Sequence, residues 1–302
     1  MLNPAALYRL EPDTDAVDLN AATLIVALDG FMDAGHAQRI LTAHLLAELD
    51  HTVVATFDAD QLFDYRGRRP LMTFTKDRWV DFSDPSLTLY RVIDRDGVPF
   101  LMLVGFEPDY QWERFVEAVR QLNQLLGVRL TASMNGIPMA VPHTRPIGRT
   151  VHATHDHLKG HQPALFDSIK VPASLTSLLE LRLGESGEQA VGFAIHVPHY
   201  VSQLDYPAAA IAGLEALSTV TGLSLPIADL QVSATDSLRV ITAQVEATDD
   251  AREVVSALEA QYDAFVNAAD PMALMAKDES TVPTAEELGR EFEEFLRSRA
   301  GE

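Results

Sequence analysis

The sequence predicts an α/β fold with a mixed sheet, followed by a helical C-terminal portion. Three observations carry this prediction. Short apolar runs alternate with segments of helical spacing through residue 225. One neighbouring pair of runs is joined by a hairpin signal, Asp94-Arg95-Asp96-Gly97. After Pro226 glycine nearly vanishes, and apolar residues recur at intervals of three and four.

The elements follow in order. Residues 22–28 form a continuous apolar run, as a strand covered on both faces should. The segment from Asp29 to Gly35 turns the chain, and Ile40, Leu41, His44, Leu45 and Leu49 then lie at helical spacing. Residues 52–57 read as a second strand, so this start argues for a parallel βαβ unit. Residues 58–85 are less regular and rich in charge. Residues 86–93 and 98–104 pair as the hairpin, which makes the sheet mixed. A helix is expected at 111–126, a strand at 128–134, helices at 174–183 and 207–221, and a strand at 190–197. Residues 227–268 read as mostly helical. A linker at 269–283 follows, then a last helix that Thr284 and Glu287 would open as a capping box. The expected organisation is an α/β body over 1–225 and a helical extension over 226–302.

Bulk composition narrows the function. The chain has 302 residues, 47% of them hydrophobic, with 44 acids against 23 bases and a net charge of -21. Such a surface repels phosphate backbones, so nucleic acid is not an expected partner. It suits partners with a basic face. Cysteine is absent, which removes disulfides, Cys-ligated zinc, iron–sulfur clusters and a thiol nucleophile together. The N-terminus lacks a basic stretch followed by a long apolar run, and no run is long enough to cross a bilayer. The expectation is a cytoplasmic protein with no membrane partner.

Several constellations could carry chemistry. Val-Pro-His occurs at 141–143 and again at 197–199, each after an apolar run. Proline lacks an N–H and fixes φ, so each strand should stop pairing there and hold the next residue on a stiff loop. His143 and His199, with Arg145 two residues beyond the first, would then either share one crevice or sit as solvated turn residues. Gly30 and Gly35 bracket a strand-to-helix turn where phosphate loops lie. No Lys-Ser/Thr follows, and Asp29 and Asp33 place negative charge there; Asp33 also suits a helix N-cap. Arg66, Arg68 and Arg69 form a dense basic island that would bind an anion, a partner's carboxylate or the chain's own acids. Glu107, Asp109 and Glu113 offer a general acid–base pair, or else Asp109 caps a helix while Trp112 and Phe115 pack. His152, His155, His157 and His161 fall within ten residues. They nearly match the His-x-His-x-Asp-His pattern of metallo-β-lactamase-type hydrolases, with the middle histidine one place late and no later ligands. An exposed polar loop is the favoured reading, and no bound metal or other cofactor is expected. The nucleophile elbow Gly-x-Ser-x-Gly is missing.

Taken in order, these segments resemble one family. They are Leu28-Asp29-Gly30-Phe31-Met32-Asp33-Ala34-Gly35, Asp64-Tyr65-Arg66-Gly67-Arg68-Arg69-Pro70, Gly105-Phe106-Glu107-Pro108-Asp109-Tyr110, Gly136-Ile137-Pro138 with Pro142-His143-Thr144-Arg145-Pro146, and His196-Val197-Pro198-His199-Tyr200. They look like the bacterial, actinobacterial-type branch of the proteasome assembly chaperone 2 family. The resemblance implies a three-layer α/β/α body of phosphorylase/hydrolase-like fold. It implies a non-enzymatic, chaperone-like role of holding protein subunits, proteasome-related ones among them, as a homo-oligomer. It transfers no catalytic residue. Relatives dock through a C-terminal hydrophobic-tyrosine-x tail, whereas this chain ends Arg297-Ser298-Arg299-Ala300-Gly301-Glu302. The alternative is a small-molecule-binding protein or a hydrolase- or phosphorylase-like enzyme at the strand ends. His143, Arg145 and His199 would then line a crevice with Asp29 or Glu107.

Overall fold

The structure is a computed structural model that describes residues 2–11, 19–160 and 168–267. In chain order the strands are β1 (Tyr8–Leu10), β2 (Thr23–Asp29), β3 (His51–Phe57), β4 (Met72–Thr75), β5 (Arg78–Phe82), β6 (Leu87–Ile93), β7 (Pro99–Phe106), β8 (Leu130–Met139), β9 (Arg149–Ala153) and β10 (Gln189–Pro198). The helices are α1 (Ala37–Glu48), α2 (Ala59–Leu62), α3 (Trp112–Leu126), α4 (Asp156–Lys159), α5 (Leu175–Glu185), α6 (Pro207–Thr221), α7 (Ala228–Glu246) and α8 (Asp249–Asn267). None of these is long and apolar enough to cross a membrane. The linker and the capped helix expected beyond residue 268 lie outside the described residues.

Eight strands form one mixed sheet in the order β1-β3-β6-β7-β2-β8-β10-β9. β7, β2, β8 and β10 run parallel at its centre, and β6 and β9 are antiparallel to their neighbours. The hairpin expected at Asp94–Gly97 is β6–β7. The opening strand–helix–strand differs from expectation in one respect. β3 runs in the same direction as β2 but is separated from it by β6 and β7. The helical crossover sets strand direction, but local periodicity does not reveal a hairpin inserted from further along the chain.

Alternation along β2 divides the core into two layers. Leu24, Val26 and Leu28 join a cluster with Phe115, Val119 and Leu122 of α3 and Leu179 and Leu183 of α5. Ile25 joins the opposite cluster with Leu41 and Leu45 of α1 and Leu214 and Leu217 of α6. Both faces are covered, so β2 reads as unbroken apolar sequence, and the body is a three-layer α/β/α arrangement.

The chain divides into two compact units, Met1–Glu259 and Ala260–Glu302. The first runs on past residue 225, because Leu230 and Ile241 of α7 lie in the same cluster as α1 and α6. Of the second, the last residues of α8 are described. Residues 58–85, irregular by sequence, contain α2 and a separate two-stranded sheet, β4–β5.

Candidate functional site at the strand ends

β8 and β10 pair in parallel from Leu130 with Gln189 to Met139 with Pro198. Their exits therefore leave the same end of the sheet side by side. β8 carries Pro138 inside the ladder rather than stopping at it. The β2 pairing ends at Val26 with Ser133, so one side of β8 is already open at Pro138 and lacks nothing from the missing N–H.

Tyr200 joins the two Val-Pro-His exits. Its hydroxyl accepts the backbone N–H of His143 at 2.8 Å and lies 2.7 Å from His143 Nδ1. His143 Nε2 lies 3.3 Å from Thr242 Oγ1. Both ring nitrogens of His143 are thus engaged by hydroxyls. His199 is exposed, with its ring edge-to-face against Tyr200 at 5.4 Å. Arg145 pairs with Glu259 at 3.2 Å, and the Thr144 hydroxyl donates to the same carboxylate. This cluster is a brace between the β8 exit, α7 and α8. Tyr200 was quoted by sequence only as a neighbour of His199. A hydrogen bond across 57 residues leaves no local signal.

Burial lowers the His143 pKa below the ordinary 6.5, against a raising influence of the Glu259 carboxylate. Burial lowers that of His196 as well. A depressed folded-state value means that the unfolded chain binds more protons near pH 6. Stability is therefore full above 6.5 and is lost as pH falls through the folded values. Thermal melts from pH 7.5 to 5.5 should show a falling Tm, and His143→Gln should flatten that slope. An unchanged slope would assign the loss to other groups.

The arginine island does not join this brace. Arg68 pairs with Asp109 at 3.3 Å and stacks over Phe106 at 5.5 Å. Asp109 also accepts the Asp64 N–H at 2.8 Å. Asp109 therefore fixes the 64–68 turn instead of capping α3, whose N-cap position is Gln111. Arg66 and Arg69 are exposed. Glu107 is buried and accepts the Leu175 N–H at the start of α5, while Glu113 pairs with Arg182 at 2.6 Å. These acids serve three separate contacts and form no acid–base pair.

The histidine stretch is likewise dispersed. His152 bonds Glu180 at 2.8 Å, His155 meets the Thr154 hydroxyl at 2.9 Å, and His161 lies outside the described residues. His157 lies exposed in α4. Among the described residues no group of three or more His, Cys, Asp or Glu is placed to hold a metal ion.

A crevice of about 480 Å³ opens between the ends of β2 and β8, lined by Asp29, Gly30, Asp33, Arg39, Pro138 and Ser202 among others. The crevice lies on the β8 side of β2, at the carboxyl ends of the parallel strands, the edge at which open α/β sheets bind ligands. Asp33 anchors its floor, accepting the N–H groups of Gln38 at 2.8 Å, Arg39 at 3.1 Å and Gly136 at 3.3 Å. Burial raises its pKa in spite of those three bonds. At the rim, Asp205 bonds His36 at 2.7 Å and Arg39 at 2.6 Å, and the His36 bond foremost lowers the Asp205 pKa. Two exposed apolar side chains, Phe31 and Met32, line the opening, and the exposed Leu204 follows the lining residue Gln203.

The sequence model of the PAC2 family matches residues 27–245, which include β3 to β10, the crevice and the paired exits. The chain belongs to the PAC2 family. A Mycobacterium tuberculosis protein of unknown function, Rv2714, is 47% identical, with a TM-score of 0.82 over 89% of this chain and 92% of that one. A Corynebacterium glutamicum protein of unknown function is 39% identical, with a TM-score of 0.80 over 86% and 98%. The M. tuberculosis proteasome-assembly chaperone homologue Rv2125 is 24% identical, with a TM-score of 0.71 over 77% and 99%. Among curated proteins no match is found. As a PAC2 protein the chain has the fold that its sequence motifs implied, and all of those motifs except the 64–70 segment sit at the carboxyl ends of its parallel strands.

Proposed function

We propose that this PAC2 protein is a cytoplasmic, non-enzymatic, chaperone-like protein that holds partner protein subunits at the strand-end crevice. The observation that carries the reading is the exposed apolar pair Phe31 and Met32 at an acid-lined opening. Exposed apolar surface rimmed by polar groups marks a contact site. Asp29 at the opening favours a partner that presents an apolar side chain next to a basic one. His143 and Arg145 support the reading by their engagement, since hydroxyls hold one and Glu259 the other. The PAC2 family, and a fold neighbour described as a proteasome-assembly chaperone homologue, make proteasome core subunits the first partners to test.

Binding of purified proteasome subunits from the same organism, followed by titration calorimetry, tests the reading. Phe31→Asp with Met32→Asp should weaken it at least about tenfold, as expected for two central apolar contacts. No saturable binding by the native chain, or binding indifferent to both substitutions, would refute it. The crevice volume favours a second reading, a small-molecule site. A saturable thermal shift with a metabolite, lost in Asp29→Ala and without subunit binding, would select that reading.

A further inference from the structure

The main sheet ends at β9, which pairs with β10 on one side and with no described strand on the other. Two backbone bonds beside it fix which way its groups point. The Thr154 N–H donates to Ala190 at 2.9 Å, and the His196 N–H donates to Gly148 at 2.9 Å. Residues of an antiparallel ladder turn alternately toward and away from the partner strand. Thr150 and His152 therefore bond toward β10, whereas Arg149, Val151 and Ala153 present their backbone groups outward. Among the described residues none takes the outward N–H or C=O groups of Val151 or Ala153. Arg149 and His152 are exposed, and Val151 and Ala153 are half-buried. A row of unpaired N–H and C=O groups is a template for one further strand.

The side chains along the edge say what kind of strand fits. Val151, Ala153 and Leu158 lie half-buried at the border of the cluster under α1 and α6, so the middle of the edge is apolar. Cations flank it at both ends. Arg149 begins β9, and His155, His157 and Lys159 follow its end. Residues 149–160 hold two cations and three histidines against one acid, Asp156, in a chain of net charge -21. That acid is paired with Lys159 at 2.9 Å, and His152 is paired with Glu180 of α5 at 2.8 Å. At physiological salt charges act over about 8 Å, so an incoming segment meets this local balance rather than the acidic whole. A second copy of β9 would set cations and histidines against one another, and short charged edges resist pairing with their own kind. An acidic strand meets no such opposition.

We propose that β9 accepts, by strand addition, an extended segment of a partner protein with an apolar centre and acidic ends. Main-chain bonds to Val151 and Ala153 supply the affinity, and Arg149 with the 155–159 cations selects the acidic ends. The strip shares no residue with the crevice lining, so the two sites stand or fall separately.

The probe is a blocked peptide of two glutamates, valine, threonine, valine and two glutamates, titrated into the full-length chain by fluorescence anisotropy. Saturable binding is expected. Hydrogen exchange at the Val151 and Ala153 amides should slow when the peptide is added. Methylating the three central amide nitrogens of the peptide should weaken binding at least about tenfold, and so should lysines in place of its glutamates. In the protein, Val151→Pro removes an outward N–H without touching the ladder to β10, a place where edge strands tolerate proline, and should have an effect of the same size. Arg149→Glu, at an exposed side chain, should weaken binding severalfold with the melting temperature held within a degree or two, and it carries the test if the proline variant melts early. No saturable binding of the acidic peptide would overturn the proposal. So would equal binding of the methylated or the lysine peptide, or exchange protection confined to residues outside β9.

Discussion

Gly136→Ala is expected to lower the unfolding free energy by about 3 kcal/mol or more, the upper range for overpacking. A Cβ at this position would lie 2.0 Å from the carbonyl oxygen of Ala34 and 2.9 Å from its carbonyl carbon. Backbone atoms cannot rotate aside as a side chain can. Neither segment is free to shift. Gly136 is held in register with Ile195 of β10. The 33–36 turn is tied to the body by the Gly35 N–H donating to Ser202 at 2.7 Å and the Tyr206 N–H donating to Gly35 at 2.9 Å. Gly30→Ala is the control. Its Cβ would meet Glu107 Oε2 at 2.9 Å, the far end of a side chain, and should cost about 1 kcal/mol. Urea denaturation of the three proteins ranks them. Equal stability of Gly136→Ala and the native chain would show that the turn yields where its hydrogen bonds say it is fixed. Gly136 therefore serves close approach of the β2 turn to β8, the approach that shapes the crevice wall.

The sheet was legible wherever one run of sequence made one strand. Residues 22–28 announced β2 because both of its faces are covered, and Asp94–Gly97 announced the β6–β7 turn. The neighbours of β2 were not legible, because β7 arrives from 70 residues further along and displaces β3. The β4–β5 hairpin was hidden for a different reason. Its bulge at Val80 breaks the two-residue alternation by which strands are read, and its side chains include five charges of both signs between Lys76 and Asp84. At the site, the doubled Val-Pro-His correctly marked two exits at one end of the sheet. It could not show that Tyr200 would occupy the space between them. Nor could it show that Glu259, more than a hundred residues away, would pair with Arg145. Spacing reveals which residues leave a strand, whereas the partner that consumes each of them is decided by long-range packing.

Asp33→Ala is the second large effect expected, about 3 kcal/mol, and it has a different origin from Gly136→Ala. The carboxylate serves three backbone N–H groups: those of Gln38 and Arg39 in the first turn of α1, and that of Gly136 in β8. Helix first turns leave such donors unpaired unless a side chain accepts them, and each partly buried donor that loses its acceptor costs about 1 kcal/mol or more. Asp33→Asn should cost less, because one amide oxygen still accepts and the desolvated charge that raises the native pKa is gone. The two positions touch, so Asp33→Ala and Gly136→Ala should not add: a turn already released by loss of its anchor can move away from the new methyl group. A double-mutant cycle in urea would show the pair less destabilised than the sum. Strict additivity would mean that the Asp33 bonds and the Ala34 contact restrain the turn independently. That would place the rigidity of the crevice in the Ser202 and Tyr206 ties rather than in its acidic floor.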